Sequence, residues 1–135
     1  MTVTESGEHE YDATLRVFSE RLTAAELRAR LGEPSSGWDK GDPVSKRSPG
    51  AFRRNASWLL ESGLDRTRSL SEHIEVLLDA VDARREGFDA IRPDCEIDVF
   101  CGLWSGEATR GGPILWPDLL ARLVELELPL SLDHY

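Results

Sequence analysis

Apolar and polar residues alternate from Tyr11 to Phe18, with Tyr11, Ala13, Leu15 and Val17 on one face and Asp12, Thr14 and Arg16 on the other. That period of two predicts a first strand with one buried side. The period changes at Thr23. Glu26 follows three residues later, the spacing of a capping box, in which each side chain takes up a free backbone N–H of the other. Leu27 and Leu31 are neighbours on the buried stripe of the predicted helix, which stops at Gly32 and cannot continue through Pro34. Residues 34–50 hold three prolines and three glycines and show no period. A short edge strand near Trp38 and an exposed loop through SKRSPG are expected there. Ala51 to Glu61 alternates imperfectly, with Phe52, Arg54, Ala56, Trp58 and Leu60 sharing one parity, and reads as a strand ending at Ser62-Gly63.

The strongest helical pattern follows. Ser69 and Glu72 form a second capping box, and Leu70, Ile74, Leu77, Leu78, Val81, Phe88 and Ile91 recur at helical spacing up to Pro93. Gly87 is the expected weak point or kink. CEIDVFC, residues 95–101, is the next strand. A polar, Gly-rich loop from Trp104 to Gly112 leads to a short strand at Pro113–Trp116. Pro117-Asp118 opens a third helix through Leu126, and Leu128 to Tyr135 is the last strand. The order β-α-β-β-α-β-β-α-β predicts an α+β domain. Its mostly antiparallel sheet has five to six strands with helices packed on one face, and its first six elements match a ferredoxin-like unit.

A chain of 135 residues fits one domain. Residues 1–10, polar and acidic, read as a disordered tail, and 11–135 as the domain. The tail has neither the basic start nor the apolar run of a signal peptide. No window approaches the roughly 20 apolar residues needed to span a bilayer. The expectation is a cytoplasmic protein without a membrane partner. Cys95 and Cys101 agree: six residues apart in one strand they would stand roughly 20 Å from each other, beyond disulfide reach. They read as two thiols on the core face.

Charge divides the chain. The net charge is −9, yet residues 39–68 carry seven positive side chains against four negative ones. That stretch is +3 and the remainder −12. The overall sign disfavours nucleic acid, whose phosphates dominate affinity. A basic strip of this kind suits an acidic protein surface or a phosphorylated ligand.

Candidate chemistry is sparse. P-loop, GxGxxG, GxSxG and HExxH patterns are missing from the sequence. Asp94, Glu96 and Asp98 alternate with core residues as a solvated sheet face does. His73 reads as a half-buried helix residue. His134 and Asp133 are strand neighbours, so they point to opposite faces and cannot orient one another. No catalytic residue, metal site or cofactor follows. The tryptophans carry more. Trp58 keeps strand parity and reads as core, while Trp38, Trp104 and Trp116 fall in or beside irregular segments, where large rings are enriched at binding surfaces. If Trp38, Lys40, Arg53 and Arg54 converge with Trp104, they form an apolar pocket with a cationic rim. Two functions are expected: a non-enzymatic protein-binding module, its partner another protein, or a small-molecule or anion binder using those five residues. Oligomeric state stays open at this level.

Several segments in fixed order resemble the bacterial Domain of Unknown Function 4279 family. They are GEP at 32–34, WDKG at 38–41, SWLLESG at 57–63, LSEHIEVLL at 70–78, DVFCG at 98–102 and the closing LSLDHY. The resemblance spans about Tyr11 to Tyr135. It implies a small stand-alone domain and assigns no catalytic residue. Small proteins of this sort often sit beside toxin or mobile-element genes, which keeps an immunity-like or inhibitory role open.

Overall fold

The computed structural model describes residues 9–106 and 110–135. Of the expected tail, residues 1–8 lie outside the described residues, as do 107–109 of the Gly-rich loop. The elements run β1 (Glu10–Ser19), α1 (Ala24–Leu31), β2 (Ser36–Trp38), β3 (Ala56–Glu61), α2 (Leu70–Ala83), α3 (Arg85–Ile91), a 3-10 turn at Arg92–Asp94, β4 (Glu96–Trp104), α4 (Pro117–Glu125) and β5 (Leu130–His134). They form one five-stranded sheet in the order β2-β3-β1-β4-β5. The pairs β2/β3, β3/β1 and β1/β4 are antiparallel and β4/β5 is parallel. The first four strands thus take the ferredoxin-like arrangement, and α4 with β5 adds a parallel strand beyond β4.

β1 is the spine. Tyr11, Ala13, Leu15 and Val17 are buried toward the helices, and the intervening residues are half-buried on the opposite face. Leu27 and Leu31 of α1, Leu70, Ile74, Leu77, Leu78 and Val81 of α2, and Leu119 and Leu123 of α4 close over that side. Both capping boxes form as spaced. Gly32 ends α1 with a φ of 90°, a backbone region open to glycine at little cost. Trp58 is buried against Phe88, and its indole donates to the Gly32 carbonyl at 2.8 Å.

Five expectations need correction. The long helix breaks at Arg84, not at Gly87. Gly87 instead lets α3 approach α1, because a Cβ there would run into the Arg30 carbonyl. The strand expected at Ala51–Glu61 begins at Ala56. Phe52 is held by a single bridge to Pro43 within a loop excursion. No strand forms at Pro113–Trp116. Gly111 and Gly112 precede it with φ of 91° and 146°, and Trp116 serves as the N-cap of α4. The last strand starts at Leu130, after Glu127 takes a φ of 54° to turn the chain out of α4. His73, expected half-buried, is fully buried.

Candidate functional site

The five residues picked out from sequence divide into two places. Trp38 ends β2 and is paired with Ser57, which is paired with Phe18, itself opposite Glu96. Trp38 therefore lies on the sheet face away from the helices, at one corner. Residues 39–55 leave the sheet there as a flap. Arg53 donates its N–H to the Asp42 carbonyl and accepts from Gly41, Val44 donates to Ala51, and Asp39 ties the flap to α1 by accepting from the Ala24 N–H at 2.7 Å. This geometry brings Arg53 onto Trp38, the guanidinium carbon 3.7 Å from the ring centroid, a cation–π contact. Lys40 and Arg54 are exposed on the same flap and make no ion pair among the described residues.

Trp104 is elsewhere. It ends β4 opposite Glu10, eight residues from Glu96, or about 26 Å along the strand. Trp38 and Trp104 share a sheet face but stand at distant corners, and no single pocket holds both. Trp104 stacks on Tyr135, with centroids 4.8 Å apart, and Arg66 lies 3.5 Å above it. Trp116 is 61% exposed at the start of α4, beside a cleft of about 240 Å³ that Ser71, Glu75 and Arg122 also line. Another cleft, of about 260 Å³, opens between Phe18, Asn55 and Cys95 and includes none of the five.

Sequence reasoning missed two arrangements. On the open face Arg16 pairs with Asp98 through bonds of 2.8 and 2.6 Å and lies against Phe100. The alternation placed Arg16 and Asp98 on solvated faces, but that they meet depends on strand register. The second is Ser62, whose Oγ lies 2.6 Å from Nδ1 of His73, while Nε2 of His73 faces the Asp65 carbonyl at 3.1 Å. A carbonyl only accepts, so Nε2 carries the proton and Nδ1 accepts from the Ser62 hydroxyl. Burial, partly offset by the Asp65 contact and the nearby carboxylates of Asp12 and Glu72, holds the His73 pKa below its ordinary value. The pairing is that of a serine with its base. With no exposed surface, however, His73 cannot meet a substrate. It staples the β3–α2 connection to the helix.

Burial pushes the Cys101 thiol up to about 12, and Cys95 is raised for the same reason. Both thiols therefore stay protonated at neutral pH. Ser105 Oγ meets Nε2 of His134 at 2.7 Å on the exposed β5 edge. Among the described residues no three His, Cys, Asp or Glu side chains are placed to hold a metal ion. No helix among them is long and apolar enough to cross a membrane.

A family model described as "Domain of unknown function (DUF4279)" matches residues 9–135. The chain belongs to that family. Its description assigns no activity. No curated protein and no solved structure matches the chain.

Proposed function

We propose that this DUF4279 protein is a protein-binding module whose flap, residues 39–55, receives an acidic surface of its partner, as an inhibitor or immunity-like protein would. One observation carries the reading. Lys40, Lys46, Arg47 and Arg54 project from the flap without a carboxylate partner among the described residues, on a chain whose net charge is −9. Phe52, 60% exposed beside them, supplies an apolar anchor. Separated charge of this kind steers an oppositely charged surface and fixes its orientation. The test is capture of partners from the native host by wild type and by a variant with Lys40, Lys46, Arg47 and Arg54 all changed to Glu. A partner held at low salt, weakened by added salt and lost with the variant supports the reading. A partner set unaffected by the charge reversal overturns it.

A second reading, a small anion at the same corner, has its own support. Nε1 of Trp38, Nε of Arg53 and Oγ of Ser57 are out of solvent and without hydrogen-bond partners among the described residues. Such groups cost about 1–3 kcal/mol each when left unpaired, and an anion would supply acceptors for all three. Thermal denaturation with phosphate or citrate tests it. A melting temperature raised in wild type but not in Arg53→Ala favours the anion, since a ligand of the native state must stabilise it.

A further inference from the structure

β5 bonds to β4 on one side and to no strand on the other among the described residues. Val99 donates to the Pro129 carbonyl at 2.9 Å, and Tyr135 donates to that of Leu103 at 2.8 Å. Odd-numbered residues of β5 thus turn their backbone groups toward β4, and Leu130, Leu132 and His134 turn theirs outward. An open edge is a template for another strand, and proteins commonly blunt it with charge, proline or a covering segment. At the centre of this one is Leu132, 61% exposed. It is paired with the buried Cys101, so its side chain is on the helix-covered side of the sheet.

α4 continues the same surface. Leu119 and Leu123 face the core, and Arg122 reaches Asp79 and Asp82 of α2 at 3.0 and 2.8 Å. The flank turned away from α2 carries Leu120 and Val124, 42% and 77% exposed. α2 packs over β1. Helices pack about 8–10 Å apart and strands about 4.8 Å apart, so α4 stands about two strands further out and its free flank overlooks the β5 edge.

We propose that this surface joins two copies of the chain: β5 pairs antiparallel with β5 of a second copy about a two-fold axis at Leu132, and the α4 flanks meet above it. Two features select a second copy. The strip formed by Leu120, Val124 and Leu132 contains no charged side chain, although the chain carries −9, so electrostatics would not bring a basic partner here. Pairing about Leu132 is self-complementary: Leu130 faces His134, Ser131 faces Asp133, and no two carboxylates oppose one another. The proposal uses the opposite side of the sheet from the flap and is independent of it.

Sedimentation equilibrium of the full chain over a wide concentration range tests this, with amide exchange on the same samples. Wild type is expected to approach twice its 15.1 kDa mass, with the amides of Leu130, Leu132 and His134 protected as the dimer fills. Val124→Glu and Leu132→Lys are each expected to weaken association at least tenfold and expose those amides, with circular dichroism unchanged. Lys46→Glu leaves association intact. Three outcomes overturn the proposal. They are a wild type monomeric at every concentration, a dimer indifferent to both edge variants, and a β5 edge protected only by a different protein.

Discussion

The two edges of the sheet are managed in opposite ways. At the β2 edge the strand is three residues long, its middle residue is Gly37, and the chain leaves it into a polar flap carrying five cations without ion-pair partners among the described residues. A short, charged, covered edge resists pairing with another strand. At the β5 edge the strand is five residues long, uncharged at Leu130 and Leu132, and flanked by an apolar helix face. One edge offers charge and excludes strands. The other offers a strand with an uncharged Leu132 at its centre. A single small sheet can thereby present two surfaces that do not compete for the same partner.

The largest effects expected test what anchors each edge. Trp58 holds the β2 side through Phe88 and the Gly32 carbonyl, so Trp58→Ala is expected to cost about 3–5 kcal/mol in urea unfolding. Leu128→Ala, at the entry to β5, is expected to cost about 2–4 kcal/mol. Equal losses would mean that the β2 side has no special anchor. Gly37→Val comes next. A Cβ at Gly37 presses on the Ser57 carbonyl, so a loss of about 1–3 kcal/mol is expected. Amide exchange should speed up in β2 while β5 stays as it was. Spread of that exchange to β5 would show that the edges are coupled.

A pH titration separates the edges from the staple between them. The folded-state pKa of His73 is lowered, chiefly by burial, while the unfolded chain takes up its proton near pH 6.5. The unfolded state therefore binds more protons below that pH, and stability falls as pH drops from about 7 through the unfolded pKa toward the lower folded one. His73→Gln should flatten this part of the profile in thermal melts across pH 5–7. An unchanged slope would assign it to other groups.

The smallest effects are at the surface. Arg53→Ala loses the contact with Trp38 and is expected to cost about 0.5–1 kcal/mol, whereas Lys40→Ala should fall within about 0.5 kcal/mol. Chemical denaturation resolves the two. A Lys40 effect as large as that of Arg53 would mean that the flap is braced by its outer charges.

Local order wrote most of the elements into the chain. Both capping boxes, the Gly32 stop, the alternation of β1 and the heptad-like stripe of α2 depend on residues three or four positions apart, so they could be read without the fold. Segments lacking such local signals were misplaced. Ala51–Arg54 alternates passably, yet tertiary structure gives those residues to the flap. Pro113–Trp116 is apolar enough for a strand, yet no neighbour is there to pair with it. Gly87 marks a close approach to Arg30, a fact about two helices and not about one.

The candidate site follows the same division. Sequence established that residues 39–68 are basic within an acidic chain, that Trp38 and Arg53 belong to an irregular segment, and that reactive motifs are lacking. Tertiary structure set Arg53 on Trp38 and moved Trp104 to the far corner. It also joined Ser62 to His73 and Arg16 to Asp98, and left Leu132 and Val124 facing outward. The reason is physical. Helix caps and strand faces are set by backbone geometry over a few residues, whereas a site depends on strand register and strand order. Those are decided by the burial of the whole core, to which every segment contributes at once.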